Sequence, residues 1–309
     1  MIFVPYFFFA LRLCSTLNVL MEWQTSRRII SLETPLVMGI LNATPDSFSD
    51  GGRFLSTDAA FERLAAMIDE GADLIDVGGE STRPGSERVS AHEEISRVVP
   101  VIRAIAERSD IPISIDTSKS EVAAAAVDAG AEIINDISGL RWDPRIARVA
   151  AETGAGLILM HSRGNFEEMH SQPVENILND VTEGLRRSAV EAVAAGVDRE
   201  CILLDIGIGF GKTPEQNLEL IARLGEIRKA LPEFGILVGA SRKSTIGRVT
   251  GEEVPERRLA GSLAAAAIAV FNRANVIRAH DVAETAQAVR VADAIRRERG
   301  GQSSADILE

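Results

Sequence analysis

Cysteine, tyrosine and tryptophan are nearly missing from this chain, at two, one and two residues in 309. Cys14 and Cys201 cannot build a disulfide framework, so the core must hold without cross-links and the chain suits the reducing cytoplasm. A basic excess is missing too: 33 Lys and Arg stand against 45 Asp and Glu, a net charge of −12. Basic residues occur at most in pairs such as Arg27-Arg28 and Arg296-Arg297. Without a basic face to neutralise phosphates, nucleic acid is not an expected partner. No apolar run approaches the ~20 residues that a membrane-spanning helix needs, so no membrane partner is expected either. No Cys/His spacing suits zinc, and His92 and His170 fall in polar stretches of surface character.

The first twenty residues differ from the rest. Met1–Ala10 holds four of the eleven Phe and the sole Tyr. The apolar run Ile2–Leu11 is short, contains Pro5 and stops at Arg12, and its start lacks the positive charge of a secretory signal. Residues 1–20 are expected to be an extension outside the fold, with a peripheral apolar anchor or a targeting signal as the alternatives. The fold is expected to occupy residues 21–298 as a single domain, with 299–309 a flexible polar tail.

From Leu36 onward, short apolar runs and helical stretches alternate eight times. The runs are Leu36–Leu41, Leu74–Val77, Ile111–Ile115, Glu132–Asn135, Gly156–Met160, Cys201–Leu204, Ile236–Gly239 and Val276–Arg278. Nearly continuous apolar runs of this length are the pattern of parallel strands buried on both faces. Between them, Thr57–Glu70 aligns Ala60, Leu64, Met67 and Ile68 on one stripe and is followed by Gly71. Ser118–Asp128 ends near Gly130, and Val174–Ala195 ends at Gly196. Eight β/α units in this length predict an α/β fold, the (β/α)8 TIM barrel, over an open doubly wound sheet.

Polar residues follow almost every run: Asn42, Glu80, Asp116, Asn135-Asp136, His161, Asp205, Arg242-Lys243, Arg278 and His280. In a barrel these would converge on the C-terminal mouth, where the loops build the site. Singly, each could be a helix cap; eight in phase with eight strands point to a site. Asp116, Asn135, Asp205 and Lys243 suit a flat heterocycle with N–H donors and carbonyl acceptors. Asn42, Ser81-Thr82-Arg83, Arg278 and His280 suit a diphosphate with a divalent ion. The loops Thr44–Gly52 and Gly78–Ser90, rich in Gly, Ser, Asp and Pro, are long enough to close over the mouth. Gly207–Thr213 looks like a phosphate loop, but position 206 is Ile where that motif needs glycine, so ATP is not expected.

Met38–Gly52 (MGILNATPDSFSDGG) resembles the first signature of the dihydropteroate synthase family. Asp76–Gly85, Ser114–Lys119, Ile134–Gly139, Leu159–His161, Gly207–Thr213, Ser241–Ser244 and Arg278–Val282 continue the resemblance in order, from about Pro35 to Ile295. It implies an enzyme of folate biosynthesis that joins para-aminobenzoate to hydroxymethyl-dihydropterin pyrophosphate, releasing pyrophosphate. By the family pattern, Asp116, Asn135, Met160, Asp205 and Lys243 would hold the pterin, with Arg278 stacked over it. Asn42, Thr82, Arg278 and His280 would hold pyrophosphate, Asn42 together with Mg²⁺. Phe48, Thr82, Arg83, Pro84, Phe210, Lys243 and Ser244 would shape the para-aminobenzoate pocket. Asp116, Arg278, His280, Lys243 and Asp50 would serve the chemistry, with Phe48, Asp50, Thr82 and Arg83 on closing loops.

The resemblance further implies a dissociative order: pyrophosphate leaves first and the arylamine attacks the methylene cation. Sulfonamides are expected to compete with para-aminobenzoate. The stretch Leu263–Phe271 is apolar almost all round, which suggests a subunit contact and agrees with the homodimer implied by the family. The chain departs from the common pattern at Ala43, Ser162, Ile206, Asn275 and Ala279, none of them assigned to chemistry. A pterin-dependent methyltransferase is the first rival, but that reaction has no pyrophosphate to hold. A non-catalytic paralogue is the second, and it predicts damage to the loops or the anion set.

Overall fold

The computed structural model describes residues 21–43, 57–81, 88–163 and 174–299. A short antiparallel hairpin, β1 (Glu22–Gln24) and β2 (Ile29–Ser31), precedes the barrel. The barrel strands are β3 (Leu36–Asn42), β4 (Leu74–Gly78), β5 (Ile113–Asp116), β6 (Ile133–Asp136), β7 (Gly156–Met160), β8 (Ile202–Asp205), β9 (Gly235–Val238) and β10 (Val276–Ala279). They pair in sequence order, all parallel, and β10 returns to β3 with Val276 opposite Leu36 and Ala279 opposite Gly39. That closure excludes the open sheet and bears out the (β/α)8 barrel. Each strand lies within two residues of its expected run.

The helices of the expected units are α1 (Thr57–Asp69), α2 (Ala91–Ala106), α3 (Ser120–Ala129), α4 (Arg145–Thr153), α5 (Ile177–Ala194), α6 (Pro214–Ala222), α7 (Leu224–Ala230), α8 (Ser244–Thr250), α9 (Leu259–Phe271) and α10 (Val282–Arg299). The last helix runs on through Arg299, the first residue expected to belong to the polar tail, with Arg296 and Arg297 both bonded to Asp293. In α1, Leu64 and Met67 are buried, but Ile68 is 38% exposed. One residue beyond Met67 turns ~100° round the helix, so Ile68 faces away from the stripe.

Two apolar layers hold the barrel. One lies between strands and helices; the other fills the lumen below the mouth with Met38, Leu74, Ile133, Ile158, Leu203, Leu237 and Val276. The hairpin, not foreseen as an element, seals the lower end. Trp23 is 1% exposed within that lumen cluster and donates its indole N–H to the Cys201 carbonyl at 2.9 Å. Glycine at 156 lets the strand come close to the indole, where a Cβ would stand 3.2 Å from the ring and press on it. Asn275, one of the departures from the common pattern, is a staple: its Nδ2 donates to Leu32 O at 3.0 Å and its Oδ1 accepts from Ile236 N–H at 3.0 Å. With the bottom filled, only the upper end is left for a ligand. Among the described residues no helix is long and apolar enough to cross a membrane.

Candidate active site

The lumen cluster fixes which side chains point inward above it. Side chains alternate along a strand, so Leu74 inside puts Asp76 inside, Ile133 puts Asn135 inside, and Ile158 puts Met160 inside. Leu203 likewise places Asp205, Val276 places Arg278, and Met38 places Asn42. Register sets Gly78, Asp116 and Asn135 side by side at the upper rim. Asn42 Oδ1 and Asp116 flank Gly78, each within 3.8 Å of where a Cβ would stand.

Four of these residues form one bonded unit. Arg278 donates from Nε to Asp76 Oδ2 at 2.6 Å and from Nη2 to Asp116 Oδ2 at 2.7 Å. Asn135 donates from Nδ2 to the same Asp76 oxygen at 3.0 Å. Burial pushes the Asp116 carboxyl up to about 7, helped by the charges of Asp76 and Glu94 and opposed by Arg278 and Lys243. Asp205 is also raised by burial, against a Gly207 N–H bond of 2.8 Å. Asp76 Oδ1, Ser114 Oγ and Asn135 Oδ1 are buried without a hydrogen-bond partner. They lie on three neighbouring strands, all inside the lumen, and make an acceptor-rich floor.

Two cations and an imidazole stand above that floor. Lys243 Nζ lies 4.1 Å from the Phe210 ring centroid, and burial with the nearby Arg278 lowers its ammonium to about 8. Gly209, at φ +82, leaves room for this, because a Cβ would meet Lys243 Cδ at 3.2 Å. Phe210 also packs with Met160 and Ile137, against Trp142. Ser244 opens α8 just beyond Lys243 and is exposed. Burial and the neighbouring Arg278 and Arg242 depress His280 to about 3, so the ring is neutral near pH 7. Ser241 Oγ accepts the backbone N–H of His280 at 3.2 Å and lies 3.0 Å from the ring Nδ1. With its hydroxyl proton turned to Nδ1, the imidazole presents Nε2–H as a neutral donor.

Other strand-end residues do not reach the mouth. His161 follows the inward Met160 and therefore points outward, with Nε2 3.4 Å from Asp180 and its ring where a Cβ of Gly184 would be. Asp136 accepts from Ser138 N, Ser138 Oγ and Leu140 N, and so caps its own loop. Glu80 accepts from Val89 N and pairs with Lys119, which also pairs with Glu94. Arg242 pairs with Asp281, and its backbone at φ +59 turns the chain between Ser241 and Lys243. Phe48, Asp50, Thr82, Arg83 and Pro84 lie outside the described residues.

Two residues in prominent positions escaped the sequence reading. Asp76 is the centre of the bonded unit. Lys212 Nζ donates to the carbonyls of His161, Gly207 and Phe210 at 3.0, 2.8 and 3.0 Å, tying the loop after β8 to the end of β7. Gly207, at φ +66, allows this contact, because a Cβ would stand 2.0 Å from His161 O. Among the described residues no group of three or more His, Cys, Asp or Glu is arranged to hold a metal ion. Asn42 offers one neutral oxygen, enough for an ion that is otherwise held by phosphate and water.

The family model described as pterin binding enzyme matches residues 38–280. The dihydropteroate synthase of Clostridium beijerinckii is 50% identical over 266 residues, covering 86% of this chain and 96% of that protein. The Escherichia coli K12 enzyme of the same name is 48% identical over 269 residues, 86% of this chain and 93% of its own length. A solved Xanthomonas albilineans dihydropteroate synthase with 4-aminobenzoic acid superposes with a TM-score of 0.84 at 40% identity, covering 90% of this chain and 98% of that one. A Yersinia pestis dihydropteroate synthase with a sulfonamide drug gives 0.82 at 42% identity, covering 90% and 100%. The match of barrel and sequence over this length places the chain in the dihydropteroate synthase family of pterin-binding enzymes.

Proposed function

We propose that this chain condenses hydroxymethyl-dihydropterin pyrophosphate with para-aminobenzoate to give dihydropteroate and pyrophosphate. The observation that supports it most is the pairing of the Asp76–Asn135–Asp116 acceptor floor with Arg278, Lys243 and the neutral His280 above it. The Asp116 and Asp205 carboxylates and the Asn135 carbonyl accept the N–H groups of a pterin, with Asp76 beneath them holding Asn135 and Arg278, while Lys243 donates to its carbonyl oxygen. Met160 and Phe210 supply apolar walls, and Phe210 and Ser244 border the amine's pocket. Arg278 and the His280 Nε2–H hold the diphosphate.

Charge then sets the order of steps. The methylene–oxygen bond breaks first, and its electron pair leaves with pyrophosphate as Arg278 takes up the growing negative charge. Mg²⁺ carried by the diphosphate, with Asn42 as its protein ligand, would add to that neutralisation. Ionised Asp116 stabilises the pterin methylene cation that remains. The neutral arylamine forms the new C–N bond and gives up one proton to water. Sulfonamides compete for the amine's pocket on this reading.

Turnover by purified protein with both substrates and Mg²⁺, against Arg278→Ala, tests it. Product that needs every component, with kcat lower by on the order of 100-fold in the variant, is expected. Pterin binding without product would instead support the non-catalytic paralogue. We also propose that α9 forms the homodimer contact: its Ile268 side chain is 49% exposed on an almost wholly apolar helix.

A further inference from the structure

We propose that Asp76 is a positioning residue for this reaction, the fixed pivot on which Arg278 turns from a resting pair with Asp116 to its working place against bound substrate. This rests on the functional reading above. Asp76 is 0% exposed, whereas the Asp116 side chain is 15% exposed at the rim. The two bonds from Arg278 leave different ends of the guanidinium: Nε, next to the aliphatic stem, goes to Asp76, and Nη2, at the tip, goes to Asp116. A planar fork can change partners at its tip while its base stays bonded.

An incoming pterin must take Asp116 from the Arg278 tip. Without Asp76, that step would leave the guanidinium in the lumen with no carboxylate hydrogen-bonded to it and only the charge of Asp205 nearby, at a large cost. With Asp76 in place, the base bond persists and the freed tip faces the diphosphate. The same carboxylate orients Asn135. Because Nδ2 is committed to Asp76, the buried and unpartnered Oδ1 is the atom turned to the ligand. A residue that never touches substrate thus sets both the reach of the cation and the polarity of the amide.

The test compares wild type with Asp76→Asn and Asp76→Leu in steady-state kinetics, a pH profile of kcat/KM and thermal melts. Wild-type turnover checks the reading on which the proposal rests; its absence overturns both. The asparagine oxygen still accepts from Arg278 Nε and Asn135 Nδ2, so Asp76→Asn should lose about tenfold or less in kcat. Asp76→Leu removes both acceptors and should lose on the order of 100-fold in kcat, with KM for para-aminobenzoate little changed. The groups facing Asp116 are Arg278 and Lys243, which lower its proton affinity, and Asp76 and Glu94, which raise it. Removing the Asp76 charge should therefore move the acid limb of kcat/KM to lower pH in both variants. A folded Asp76→Leu with near wild-type kcat overturns the proposal. If the leucine variant does not fold, the asparagine variant decides alone: an acid limb that stays in place overturns it.

Discussion

Asp116→Asn should stabilise the fold while disabling the site, and the gain should depend on pH in a defined way. An aspartate ordinarily ionises near 3.8, and Asp116 keeps its proton to about 7, chiefly because it is buried. Between those values the folded chain binds more protons than the unfolded one, so this group's contribution to stability falls as pH rises. It is whole below about pH 4, lost progressively to about 7, and constant above. A gap of about three pH units at ~1.4 kcal/mol each is on the order of 4 kcal/mol. Asparagine has nearly the same shape and no charge to bury, so the variant escapes that loss. The stability of variant minus wild type should climb from pH 4 to 7.5, by roughly 8 °C in melting temperature at ~2 °C per kcal/mol for a domain of this size. His161 and His280, held near 4 and 3, make stability rise with pH below about 6.5 in both proteins, and the subtraction removes them. The attraction between Arg278 and Asp116 exists only when Asp116 is ionised and is already contained in that value, so only a difference between the neutral hydrogen bonds remains, a pH-independent offset that leaves the slope intact. Melts at half-unit steps from pH 4.5 to 8.5 read the difference directly. A flat or falling difference would refute the account of Asp116, as would wild-type kcat/KM that fails to rise through about pH 7.

Two further expectations concern the frame rather than the chemistry. Lys212→Met keeps the volume of the side chain but strips all three donors from the carbonyls of His161, Gly207 and Phe210, and should cost about 3 kcal/mol in urea unfolding. A midpoint equal to wild type would show that the loop does not depend on that cage. Trp23→Ala empties the lower lumen and leaves the Cys201 carbonyl without its donor, at a cost of roughly 3–5 kcal/mol in the same assay. A loss below ~1 kcal/mol would mean that the hairpin merely rests on the barrel.

The barrel was legible because both faces of its strands are buried, which leaves short, nearly continuous apolar runs. β7 spans the same five residues in sequence and structure, Gly156–Met160. The mouth was legible through residues at strand ends, but that rule treats inward and outward positions alike. His161 was counted with the mouth although Met160 before it already takes the inward place. Asp76 was passed over for the opposite reason: it sits in the middle of a buried strand, where a carboxylate reads as an exception, although it is two residues above the lumen-filling Leu74. Alternation counted upward from the lumen would have found the first error and the second omission together. The Lys212 cage was illegible for another reason, since its partners are backbone carbonyls that no side chain announces.

The seal beneath the barrel also bears on the timing of folding. Trp23 leaves the ribosome early, but the carbonyl it bonds lies 178 residues later in the chain. At ~5–20 residues per second, roughly 10 to 35 s of synthesis separate the two. Leu32 waits longer, since the Asn275 amide that caps it comes 243 residues on, when the last strand arrives to close the ring. The hairpin is therefore made first and seated late. A nascent chain stalled before Cys201 would keep its indole in water, so the indole's emission spectrum would date the moment the barrel is corked.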